Sequence, residues 1–165
     1  MLGENPARAD CLLGYAMSPS PSPPDYAGDI DAAEAWEMLN KDPKAQLVDV
    51  RTMAEWNFVG LPDLSGLGRK VHCIEWQQFP SMAFNPDFVA ETAGALAAAG
   101  AEPQSPVLYL CRSGGRSRAA AIAMARAGHK NSFNVAGGFE GDLNFERHRG
   151  SSSGWKAAGL PWKQS

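Results

Sequence analysis

The chain has 165 residues, of which 44% are hydrophobic and 20% charged, the composition of one globular domain with a core of its own and some length to spare at an end. Its formal net charge of −3 excludes a chain-wide cationic field of the kind that gathers nucleic-acid phosphates. No apolar run approaches the roughly eighteen residues a membrane helix needs, so neither nucleic acid nor membrane is expected as a partner.

Residues 18–24 read Ser-Pro-Ser-Pro-Ser-Pro-Pro, which supports neither helix nor sheet ladder. Residues 1–24 are therefore expected to be a disordered tail, with Met17 as a second possible start, and residues 25–165 a single domain. The short apolar stretch Cys11–Met17 lacks the basic lead and the cleavage pattern of a signal peptide. Beyond the tail, Ala32, Ala35, Trp36 and Leu39 share one helical face, and Asp31 with Glu34 has capping-box spacing. Gln46-Leu47-Val48-Asp49-Val50 has the length and β-branching of a buried parallel strand. Lys70–Ile74 is a weaker strand. Asn85-Pro86-Asp87 opens a helix that runs to Ala99 and ends at Gly100. Pro106–Leu110 is the clearest strand, followed by a loop, a helix from Ser117 to Ala127 stopped by Gly128, and a strand at Ser132–Val135. Gly137-Gly138 then turns the chain into a last short helix. Strands alternating with helices imply an α/β fold, a parallel sheet covered on both faces.

Cys11, Cys73 and Cys111 stand far apart with no CxxC pair, which suits neither a disulfide framework nor a zinc site. His72, His129 and His148 are isolated, so no metal and no cofactor is expected. Free thiols point to a reducing, cytoplasmic setting.

The segment that carries chemistry is Leu108-Tyr109-Leu110-Cys111-Arg112-Ser113-Gly114-Gly115-Arg116-Ser117-Arg118. It lies beyond the carboxyl end of a strand, where open α/β sheets bind ligands. Gly114 and Gly115 allow backbone turns that aim several N–H groups at one point, and the following helix adds its positive end. Arg112 and Arg116 add full charges. A sulfur at that point is stabilised as thiolate and becomes a nucleophile. A cysteine at a strand end is commonly a packed core residue; the glycines, arginines and helix start around Cys111 favour the reactive reading, while Cys73 and Cys11 lack such surroundings.

Cys111-Arg112-Ser113-Gly114-Gly115-Arg116-Ser117 resembles the active-site loop of the rhodanese family of sulfurtransferases. Leu47-Val48-Asp49-Val50-Arg51 with Glu55-Trp56, Asn134-Val135-Ala136-Gly137-Gly138-Phe139, and Gly154-Trp155 through Gly159-Leu160-Pro161-Trp162 resemble three further family segments, so the likeness covers about residues 28–163. It implies a rhodanese-like three-layer α/β/α fold with a central, mainly parallel five-stranded sheet. It also implies transfer of a sulfane sulfur through a Cys111 persulfide. The donor would be a small sulfur anion such as thiosulfate, or a protein, and the acceptor a thiol, cyanide or a protein. Arg112, Ser113, Gly114, Gly115, Arg116 and Ser117 would line the substrate site, with Asp49 and Arg51 bracing the loop by ion pairing.

The chain departs from the pattern at Phe58–Leu64, which replaces the family's usual Gly-His-Ile-Pro-Gly-Ala-like stretch. Ser113 and Glu55 stand where the two-domain thiosulfate enzymes carry cations, leaving Arg112 as the match to their thiosulfate contacts. Two other functions compete for the same residues. A cysteine phosphatase or arsenate reductase needs a Cys-x5-Arg loop, but Arg116 falls one residue short of that spacing and position 117 is Ser. A non-catalytic rhodanese-like binding module often loses its cysteine, which this chain keeps.

Overall fold

In the computed structural model, which describes residues 25–165, the buried apolar runs of the sequence lie side by side in one parallel sheet. The expected tail 1–24, with Cys11 and Met17, lies outside the described residues. The elements in chain order are β1 (Gly28–Ile30), α1 (Ala32–Lys41), β2 (Gln46–Asp49), α2 (Met53–Phe58), β3 (Leu61–Pro62), a 3-10 turn (Ser65–Leu67) and β4 (His72–Cys73). There follow β5 (Gln77–Gln78), β6 (Ala83–Phe84), α3 (Phe88–Ala98), β7 (Val107–Leu110), α4 (Gly115–Arg126), β8 (Ser132–Val135), α5 (Gly154–Ala157) and β9 (Trp162–Lys163). The main sheet has the order β1-β8-β7-β2-β4 with every neighbouring pair parallel. β3 with β9 and β5 with β6 form two small antiparallel pairs.

Strand side chains alternate between the two faces of a sheet, and both faces are covered here. Leu47, Leu108 and Leu110 pack on one side with Ala32, Ala35 and Leu39 of α1 and Trp155 of α5. Val48 and Tyr109 point to the other side, with Phe88 and Leu96 of α3 and Ala120, Ala121 and Met124 of α4. This is the expected three-layer architecture. Each large side chain so buried contributes about 1.5–3 kcal/mol, which makes the central strands the rigid frame behind the loop that follows β7.

Local chemistry sets the ends of the helices. Asp31 and Glu34 form the expected capping box on α1. A second box, Thr52 with Glu55, starts α2, a helix the sequence reading does not anticipate. α3 begins two residues beyond Pro86, because the Asn85 side chain accepts from Asp87 N (3.1 Å) and closes a turn before the helix. α4 starts at Gly115 rather than Ser117, so the glycines belong to its cap and first turn. α5 begins only at Gly154, so a long connection separates it from the Gly137-Gly138 turn.

Candidate active site

Cys111 directly follows β7, and only 2% of its surface is exposed. Gly114 N donates to its Sγ at 3.1 Å, and Ser117 Oγ lies 3.2 Å away. The sulfur thus sits against the start of α4, where free N–H groups and the helix dipole favour negative charge. Gly114 caps that helix at φ 112, a conformation that L side chains rarely adopt. Gly115 has no such backbone, and a Cβ there would meet open space. The two glycines expected to shape the loop together are therefore not equivalent.

The two arginines also part. Arg116 Nη1 and Nη2 each lie 2.8 Å from a Glu55 carboxylate oxygen, a bidentate pair whose side chains are 19% and 21% exposed. Thr52 N and Oγ1 add two bonds of 2.9 Å to the same carboxylate. Burial pushes the Glu55 carboxyl up, but Arg116 and Thr52 outweigh it and hold the group at about 2. Glu55 in turn raises the Arg116 guanidinium above its ordinary value. Arg112 is exposed and enters no ion pair among the described residues. Ser113 is exposed beside it.

Asp49 and Arg51 form a fully buried pair at the end of β2, with Arg51 Nη2 2.6 Å from Asp49 Oδ2 and 2.7 Å from Gly60 O. The guanidinium carbon lies 4.2 Å from the centre of the Phe139 ring. Phe139 N donates to Cys111 O (2.8 Å), and Glu140 N and Gly141 N donate to Arg112 O (3.0 and 3.1 Å). The pair therefore reaches the cysteine loop through Phe139. At Gly138 (φ +59), a Cβ would lie 2.4 Å from Cys111 O, so only glycine lets this turn approach the loop. Cys73 is exposed on edge strand β4, though partial covering of its sulfur, with the Asp49 charge adding and Arg51 opposing, pushes its thiol up to about 12.

Sequence reasoning passed over Asn134 and Asp29. Ser117 Oγ is 2.6 Å from Asn134 Oδ1, and Asn134 Nδ2 is 2.9 Å from Asp29 Oδ1. A polar side chain in an otherwise buried strand was the signal present in the sequence. Among the described residues, no group of three or more His, Cys, Asp or Glu side chains is placed to hold a metal ion, and no helix is long and apolar enough to cross a membrane.

The family model described as STR4 middle domain matches residues 27–165, the whole sheet and the cysteine loop included. The chain belongs to this family. The chain is 36% identical over 134 residues to an uncharacterized protein of Rickettsia conorii, covering 81% of this chain and 95% of that one. It is 50% identical to Rv0390 from M. tuberculosis, whose crystal structure superposes with a TM-score of 0.75 over 85% of this chain and 99% of that chain.

The expected rhodanese family enters as a more distant link. The chain is 28% identical over 140 residues to rhodanese-like domain-containing protein 4, chloroplastic, of Arabidopsis thaliana, 84% of this chain and 26% of that protein. The polysulfide-sulfur transferase homodimer from Wolinella succinogenes shares the fold, with a TM-score of 0.53 and 21% identity over 86% of this chain and 80% of that chain.

Proposed function

We propose that the protein is a sulfurtransferase that carries a sulfane sulfur on Cys111 as a persulfide. The observation that carries this reading is the Cys111 sulfur held 3.1 Å from the Gly114 N–H at the start of α4, with Ser117 Oγ at 3.2 Å. The thiolate attacks the outer sulfur of a donor, a new S–S bond forms, and the donor's own bond to that sulfur breaks. Its electron pair leaves with the remainder, a sulfite or a thiolate. A thiophilic acceptor, a thiol or cyanide, then attacks the outer sulfur and releases the Cys111 thiolate. The acceptor thiol is either free or carried by a protein. No separate base is required once the thiolate has formed.

The charges around the loop favour one donor class. Glu55 offsets Arg116, so Arg112 is the loop cation left to meet a donor. One cation suits a monoanionic persulfide better than the thiosulfate dianion. The free Cys73 and Cys111 thiols suit a reducing cytoplasm, with residues 25–165 acting as one domain.

The test is intact mass after treatment with cysteine persulfide or thiosulfate, followed by thiocyanate release on adding cyanide. The expected result is a one-sulfur adduct, formed faster from the persulfide and lost in Cys111→Ala. An adduct that survives Cys111→Ala, or hydrolysis of a phosphate ester without any adduct, overturns the proposal.

A further inference from the structure

A line of hydrogen bonds leads from the Cys111 sulfur to the protein surface. Ser117 Oγ is 3.2 Å from Cys111 Sγ and 2.6 Å from Asn134 Oδ1. A hydroxyl carries one proton and cannot donate to both. The amide orientation of Asn134 is set at its far end, where Nδ2 lies 2.9 Å from Asp29 Oδ1. An ionised carboxylate only accepts, so the amide nitrogen must face Asp29 and the amide oxygen must face Ser117. Asp29 is kept ionised: although partial burial opposes it, bonds from Arg118, Tyr26 and Asn134 hold its carboxyl below the usual range. Ser117 and Asn134 are 0% and 1% exposed, so no bulk water competes for the hydroxyl. The shorter contact takes the proton, and Ser117 turns its lone pairs toward the sulfur.

Resting on the sulfurtransferase reading, we propose that Asn134 is a positioning residue, aimed by Asp29, that keeps the Ser117 hydroxyl proton away from Cys111. Whenever the sulfur carries its proton, Ser117 accepts from it. When the thiol proton leaves, the hydroxyl must abandon Asn134 Oδ1 to donate to the sulfur, alongside the Gly114 N–H. The exchange restrains the nucleophile until it is needed, and an exposed carboxylate on β1 sets how strongly. The other charges near the sulfur are Arg112 in the loop, Arg116 of α4 with its Glu55 partner on α2, and Asp49 with Arg51 at the end of β2. The variants below alter none of these, but Asp29→Ala also removes the partner of the exposed Arg118 on α4.

The measurement is the rate of iodoacetamide alkylation at Cys111, read by peptide mass across about pH 5 to 9 in the full chain. Asn134→Ala frees the Ser117 proton and is expected to raise the rate at the acidic end by about three- to tenfold, moving the midpoint to lower pH. Asp29→Ala, at an exposed position, lets the Asn134 amide turn and is expected to change the rate in the same direction, by less. In a Ser117→Ala background Asn134→Ala should add nothing. An unchanged or slower rate in Asn134→Ala overturns the proposal. So does an equal gain in the Ser117→Ala background, which would mark simple exposure of the sulfur. If Asn134→Ala does not fold, an unchanged Asp29→Ala is decisive against it. Alkylation does not depend on sulfur transfer, so a wild-type chain with the expected alkylation pattern and no sulfur adduct would overturn the transferase reading alone.

Discussion

Gly114 and Gly115 are neighbours with one chemistry and two different jobs. Gly114 holds φ 112 at the cap of α4, whereas Gly115 is an ordinary first-turn residue with open space where a Cβ would be. Gly114→Ala should cost about 1–3 kcal/mol through backbone strain, while Gly115→Ala should be neutral or stabilise by about 0.4–1 kcal/mol through the unfolded chain. Urea unfolding of the two variants checks the contrast; equal losses would contradict it. The pair looks symmetrical in the sequence because only the backbone angles separate its members. The same holds for Arg112 and Arg116, since the Glu55 that occupies Arg116 lies 61 positions away along the chain. Cys111 was legible because its surroundings are local. Asn134 was not, because its importance depends on Ser117 and Asp29 arriving from two other elements.

At the scale of elements, α2 acts as a clasp. Its Thr52–Glu55 box caps its own N-terminus, and the same carboxylate reaches across to Arg116 on α4. Glu55 titrates at about 2 in the folded protein against an ordinary 4.5, so the folded state prefers the ionised form. The resulting stability is fully present above pH 4.5 and is lost as pH falls from there toward 2. Glu55→Gln should therefore be less stable than wild type near neutrality and should show a flatter fall in thermal midpoint across that acidic window. Parallel curves for the two proteins would refute the assignment. α1 was readable because its capping box precedes a periodic apolar face. α2 carries the same Thr-x-x-Glu signal but is six residues long and buries none of them, so no periodicity supports it. β1 escaped for a similar reason: three residues, half-buried at the sheet edge, become a strand only through pairing with β8.

Across the whole molecule, the end of the described chain closes over the loop. Trp155 N donates to Gly138 O (2.8 Å), and its indole Nε1 donates to Pro161 O (2.8 Å). The ring meets Trp36 edge-on at 5.9 Å. Lys156 Nζ lies 4.1 Å from the Trp162 ring centre and 5.1 Å from that of Phe139, the residue that binds the Cys111 carbonyl. Trp155→Ala should cost about 3–5 kcal/mol of stability and should raise Cys111 alkylation well below the global unfolding midpoint. Denaturant titration with alkylation as a second probe tests this, and coincident transitions would show that the clamp has no local role.

The Gly138 contact gives the Cys111 loop an order of manufacture. Translation makes Cys111 with its strand, but the carbonyls of Cys111 and Arg112 find their partners only in Phe139, Glu140 and Gly141. That turn is in turn held by Trp155 and the residues after it. On the ribosome, where chain emerges at about 5–20 residues per second, the thiol is thus synthesised before the residues that finish its loop. Until the last clamp residue leaves the exit tunnel, the cysteine is one more unsupported thiol on a nascent chain.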